Sequence, residues 1–328
     1  MLARAFRQNQ PAVLLLLPVL VAALWPGSHF GAPPDGTAAP GMPLYVWLSG
    51  VAAGTSWGPT TLSVVLVLGT AFVLNVATNN ADLFERRNHL PPLLFVLSMA
   101  LMPQGLRADP ALMGMPLVLW AMARVWSVQG RGRVEARLFD TGLLIGLAAL
   151  CYLPYAFLLV VVWASLAVMR PPAWREYVLP AVALAVIFAL ASGVAWIVRP
   201  SSWHPLASLG GYVPFRSPGR PMPHFFWITL LAWLIAFGTA SILAFFTSYT
   251  RSIMREKNTR SSFLALVFTL ALLATFAWAL TKQVPPVLVA VPAAVLPVYA
   301  LLNAGRSGLA EIAVWCLLLL GLWARWAA

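Results

Sequence analysis

The sequence predicts an all-α integral membrane protein, and three observations predict it. Hydrophobic residues make up 61% of the 328 and charged residues only 9%, where soluble domains carry about 25% charged residues. Apolar runs recur from Pro11 to the C-terminus, separated by short polar turns. The 21 Lys and Arg sit a few at a time in those turns, so the formal charge of +12 reports membrane orientation and excludes nucleic acid as the partner. The two cysteines, Cys151 and Cys316, both lie inside apolar runs, which excludes a disulfide framework and a zinc site.

The apolar run over residues 11–25 follows Arg4 and Arg7 as a signal peptide would, but no small-residue cleavage site succeeds Trp25-Pro26. It is expected to be an uncleaved first helix. Further spans are predicted near residues 59–79, 91–102, 111–128, 140–152, 155–169, 177–198, 224–247, 263–280, 284–302 and 308–324, about eleven in one polytopic domain over 1–328. Three of them, 91–102, 140–152 and 155–169, fall short of the roughly 20 residues that about 30 Å of hydrocarbon requires. Such segments pass partway where protein shields them, and 140–169 reads either as two spans or as a re-entrant pair broken at Pro154.

With the N-terminus in the cytoplasm, fifteen basic residues fall at inner ends and turns, Arg260 among them, and six fall outside. That imbalance selects this orientation, and a bacterial inner membrane is the expected location. Two external loops are long, 26–58 and 199–223. The first contains Leu44-Tyr45-Val46-Trp47-Leu48, too short to span and expected to lie along the interface. The second carries a Gly210-Gly211 turn suited to a mobile lid.

Seven of the nine acids fall at inner ends, where solvated charges are expected, leaving Asp35 and Asp109 outside. His29, His204 and His224 are external as well, with Arg107, Arg199, Arg216 and Arg220. Arginine, histidine and aromatic residues facing a bilayer suit an anion at headgroup depth such as a lipid phosphate, so membrane lipids are the first expected partner. Asp109 followed by Pro110 is also an ordinary helix start, a cap favourable by about 1 kcal/mol. The spans are expected to hold no buried Lys, Arg or His, which disfavours an ion-coupled pump. No nucleotide, metalloprotease or serine-hydrolase motif occurs, and no cofactor is evident.

The order of segments resembles the GT-C glycosyltransferase superfamily, in the branch of protein O-mannosyltransferases and lipid A aminoarabinose transferases. Gly41-Met42-Pro43-Leu44-Tyr45-Val46-Trp47-Leu48 is similar to that family's Pro-Pro-Leu-Tyr-x-Trp-Leu stretch, and Leu83-Phe84-Glu85-Arg86-Arg87 to its Leu-Phe-x-Arg-Arg turn. Pro103, Arg107 and Asp109 match its short span, external Arg and helix-opening Asp. The run Thr141 to Leu150, with Gly142 and Gly146, then Pro154 and Trp174-Arg175, matches its Gly-Leu-x-x-Gly-Leu-Ala helix, Pro-broken partner and basic turn. The resemblance covers roughly residues 40–195.

The resemblance implies transfer or polymerisation of sugars from a polyprenyl-phosphate donor on the external face. Such a transfer needs a carboxylate base and a cation or metal at the departing phosphate. Asp35 and Asp109 are therefore the expected catalytic acids, Asp35 as base and Asp109 with Arg107 at the phosphate or a divalent metal. His204, Arg216 and Arg220, beyond the stretch the resemblance covers, are expected as a secondary phosphate cradle. The chain departs from the family in its shortened first loop, where Asp35 has no Glu beside it. It also departs where Cys151 and Tyr152 stand in place of a frequent Lys, and in the expected lack of a soluble C-terminal domain. Those departures leave two alternatives, a non-catalytic membrane subunit of an envelope assembly and a transporter or flippase for a lipid-linked precursor.

Overall fold

The computed structural model describes residues 2–8, 10–24, 42–102, 106–128, 134–198, 224–303 and 307–326. Among them are helices and no strand. In chain order the helices are α1 (Leu2–Arg7), α2 (Leu16–Leu24), α3 (Pro43–Ala53), α4 (Gly58–Asn80), α5 (Leu90–Leu101), α6 (Pro110–Trp126) and α7 (Glu135–Ala149). Then come α8 (Leu159–Met169), α9 (Trp174–Val198), α10 (His224–Arg251), α11 (Met254–Thr281), α12 (Pro286–Asn303) and α13 (Ser307–Trp326). Short 3-10 stretches lead into α2 (Pro11–Leu15) and α8 (Leu153–Leu158). Each predicted span is occupied by a helix, and five of them, α4, α9, α10, α11 and α12, are long and apolar enough to cross a membrane.

Proline sets where many of these helices begin. It stands in the first turn of α3, α4, α5 and α6, where the missing N–H costs nothing. Hydroxyl side chains inside the apolar helices satisfy themselves locally. In α4, Ser63, Thr70 and Thr78 donate to the carbonyls of Pro59, Leu66 and Leu74 at 2.8, 2.6 and 2.8 Å. Where the interior must accept a polar group from another helix, it does so in a closed set. Trp126 Nε1 donates to Ser262 Oγ at 2.8 Å, and Ser165 Oγ lies 2.5 Å from the same hydroxyl, joining α6, α8 and α11.

The short predicted span at 91–102 is the centre of the bundle. Helix α5 has twelve residues, about 18 Å of helix, and is buried along nearly its whole length by α4, α12, α13 and α2. Protein surrounds it, which is the condition under which a segment too short for the hydrocarbon is stable there. The segment 140–169 is likewise one helix, α7, followed by a 3-10 stretch and α8, with the break at Pro154 as expected.

Two close approaches lock α7 into place. A Cβ on Gly142 would lie 2.3 Å from the Pro180 carbonyl oxygen, and one on Gly146 would lie 2.9 Å from Ile187 Cβ, so α9 presses on the bare backbone of α7. This is the small-residue contact by which membrane helices associate. On the neighbouring helix, a Cβ on Gly114 would strike the Tyr155 ring at 2.8 Å, and Tyr155 Oη donates to the Ala111 carbonyl at 2.7 Å. On its outer side α9 carries two exposed tryptophans, Trp174 and Trp196, 72% and 74% exposed. They stand roughly 33 Å apart at 1.5 Å per residue, close to the depth of a bilayer's apolar core.

At one end of the bundle the expected solvated charges are instead built into the structure. Glu311 of α13 accepts the Ala3 and Arg4 backbone N–H groups at 3.2 and 2.8 Å. Glu176 pairs with Arg170 at 3.0 Å, both side chains largely covered. Two residues just outside the predicted spans are buried as well: His89, the N-cap of α5, is 7% exposed, and Arg260, expected in an inner turn, is 1% exposed. For Arg260 the reason is that α11 starts at Met254, well before the predicted span at 263, so Arg260 lies on the helix's inward face and not in a turn.

Candidate functional site

Two of the residues picked out by sequence, Arg107 and Asp109, stand together at one corner, the start of α6. Asp109 is the N-cap of α6 in extended backbone, and its Oδ1 accepts the Leu112 N–H at 2.5 Å. Its own N–H donates to the Arg107 carbonyl at 3.0 Å, and the adjacent Ala108 N–H donates to Ser63 Oγ at 2.9 Å. The capping carboxylate also meets the positive end of the helix dipole. Asp109 is 4% exposed and Arg107 is half-buried.

Helix α3, the Pro43-Leu44-Tyr45 stretch, docks on this corner through the Leu44 N–H, which donates to the Leu150 carbonyl at 3.2 Å just past the end of α7. Burial raises the Tyr45 phenol above its ordinary value, and the Asp109 charge raises it further. Tyr152 also lies within the field of Asp109. Its ring meets Tyr155 edge-on, with centroids 5.1 Å apart. The arrangement therefore sets one anion, one half-buried cation and two phenols around the start of α6. Asp109 Oδ1 is engaged with the helix start.

The remaining external candidates, Asp35, His204, Arg216 and Arg220, lie outside the described residues. Among the described residues no three His, Cys, Asp or Glu side chains converge as metal ligands would.

Sequence reasoning missed a second polar centre at the opposite end. Arg260 Nη1 donates to the Ser248 carbonyl at 2.7 Å and to Ser252 Oγ, while Nε donates to the Leu83 carbonyl at 3.3 Å. Glu256, one turn earlier, approaches Nη2 at 3.6 Å. Beside it, Asn75, Asn79, Asn88 and His89 form a buried network. Asn79 Nδ2 donates to the Asn88 carbonyl at 2.9 Å, Asn88 N–H returns to Asn79 Oδ1 at 3.1 Å, and His89 Nδ1 lies 3.2 Å from Asn75 Oδ1. Burial alone holds the His89 imidazole below its ordinary value. The available signal was the stripe Phe263, Leu266, Leu270, Leu273 and Ala277: extended backward at helical spacing it reaches Thr259 and Arg260.

Compared with protein-family models, with characterised proteins and with solved structures, the chain matches none.

Proposed function

We propose that this chain is a polytopic membrane protein of GT-C-like arrangement, with its N-terminus in the cytoplasm, that transfers sugar from a polyprenyl-phosphate donor at the external face of a bacterial inner membrane. One observation carries the reading. The Leu44 to Leu150 hydrogen bond joins two pieces of the resemblance far apart in sequence, the Leu44-Tyr45 stretch and the end of the Gly142 helix, and a third, Asp109, bears by its charge on Tyr45 and Tyr152 beside them. In this reading Arg107 offsets charge on the departing phosphate. Asp109 fixes the start of α6 and so the position of Arg107, and Asp35 accepts the proton of the acceptor hydroxyl.

The test uses the full chain in lipid nanodiscs loaded with a polyprenyl-phosphate-linked sugar and supplied with a bacterial envelope extract as the source of acceptor hydroxyls, with acceptor-dependent release of free polyprenyl phosphate as the readout. Asp35→Asn and Arg107→Ala should each lower release by about 100-fold or more, the scale of a lost general base or charge partner. Release that is absent from the wild type, or unchanged in both variants, ends the enzyme reading.

A second reading, a non-catalytic membrane subunit of an envelope assembly, is favoured by the state of Asp109. Its carboxylate is buried and spent on a backbone N–H, an arrangement that a purely structural residue would have. In that case Asp35→Asn and Arg107→Ala leave the protein's cellular role intact.

A further inference from the structure

We infer a second binding site, for a phosphate-class anion, in a cleft at the end of the bundle opposite Asp109. It stands on observations separate from the reading above. The cleft has a volume of about 270 Å³ and is lined by Arg7, Glu85, Arg86, Arg260, Tyr299 and Asn303, among others. Three arginines against one glutamate leave a formal surplus of two positive charges on its wall.

The cleft is built and held. Arg260 is 1% exposed, and most of its hydrogen-bond partners are neutral: the Leu83 and Ser248 carbonyls and the Ser252 hydroxyl. Its carboxylate partner, Glu256, stands off at 3.6 Å with its side chain one-third exposed. A cation removed from water and only loosely paired leaves a strong positive potential in its surroundings. Arg7 Nη2 donates to the Leu302 carbonyl at 2.8 Å, which fixes a second guanidinium at the rim. Arg86 is exposed on the turn between α4 and α5, within reach of the opening. The apolar side is made by Phe84 and Tyr299, whose rings pack at 5.0 Å. The sequence motif Leu83-Phe84-Glu85-Arg86-Arg87, which the external site leaves unused, thus supplies an acceptor, a wall and a rim of this cleft.

The chemistry fits a phosphate ester. Guanidinium groups bind phosphate by paired, charge-assisted hydrogen bonds, and a volume several times the roughly 30 Å³ that one water occupies admits a phosphate with the first atoms of its ester. The anion comes either from a phospholipid headgroup at that membrane face or from free phosphate.

The experiment places the full chain in dodecyl maltoside micelles, which carry no phosphate, and titrates inorganic phosphate and, separately, dioctanoyl phosphatidate, following thermal stability and the binding isotherm. A saturable stabilisation that high salt suppresses is expected. Stabilisation by phosphatidate alone assigns a headgroup, and stabilisation by both probes assigns free phosphate. Arg86→Ala, at an exposed position that leaves the fold intact, should weaken binding about tenfold. Arg175→Ala, another exposed arginine at the same end whose guanidinium rests over Trp174, should leave it unchanged. No saturable response to either probe, or equal weakening by Arg86→Ala and Arg175→Ala, overturns the site.

Discussion

Arg260 and Tyr299 share one acceptor: the Leu83 carbonyl takes Tyr299 Oη at 2.8 Å and Arg260 Nε at 3.3 Å, while the guanidinium lies 5.6 Å from the tyrosine ring centroid. The pair ties α11 and α12 to the turn after α4. Arg260→Met should lower stability by roughly 1–3 kcal/mol, because it removes charge-assisted bonds to the Ser248 carbonyl and Ser252 hydroxyl, which keep only the bond between themselves, and leaves Glu256 without its cation. Tyr299→Phe should cost about 1 kcal/mol, since Arg260 still serves the shared carbonyl. Equilibrium unfolding in mixed micelles should show the two changes to be coupled, and strict additivity would argue against a shared acceptor.

The contact of α7 with α9 gives a second prediction. Gly142→Val must displace the Pro180 backbone and should destabilise by about 3 kcal/mol, as overpacked sites do. Gly193→Ala, in α9 with open space around it, should be neutral or stabilising by up to about 1 kcal/mol. The pair is compared by melting temperature in the same detergent, and equal effects would mean that the close approach is absent in solution.

Asp109 separates a cap from a reactive group. Asp109→Asn keeps an acceptor for the Leu112 N–H and should preserve stability, whereas Asp109→Ala should cost about 1 kcal/mol. Unfolding curves for both variants check this. If Asp109→Asn folds like the wild type yet abolishes sugar transfer, the carboxylate charge acts beyond the helix start.

Much of this was legible in the sequence, and the reason is physical. Apolar length and proline position decide where a membrane helix runs, so the helices from Pro11 to α13 overlap the runs that hydropathy picks out, α11 beginning earlier at Met254, and the break near Pro154 falls where a missing N–H favours it. Asp109 as a cap was readable from the Asp-Pro pair alone. Arg260 was not, because Arg255, Glu256, Lys257 and Asn258 precede it and such a polar run reads as a solvated turn. Only the tertiary structure shows that α10 and α12 close over one side of it. Gly142 and Gly146 entered the sequence reading as part of a family pattern, and their immediate role is to admit the backbone of α9.

His89 makes stability depend on pH. Burial holds its folded value below the ordinary 6.5, so the unfolded chain takes up the proton first. Its contribution is fully present above about pH 6.5 and is lost as pH falls from there toward the folded value. Unfolding followed from pH 7.5 to pH 5 should therefore show declining stability, and His89→Gln should flatten that decline. A slope unchanged by the substitution would assign the effect to other groups.

Trp174 and Trp196 are exposed near the two ends of α9, and α9 packs closely on α7 and through it on α6. A bilayer thinner than the distance between these two rings would force α9 to tilt, and the tilt would carry the Asp109 corner with it. Acyl-chain length, a property of the surrounding lipid and of no residue in the chain, thereby becomes a control on the geometry of that corner.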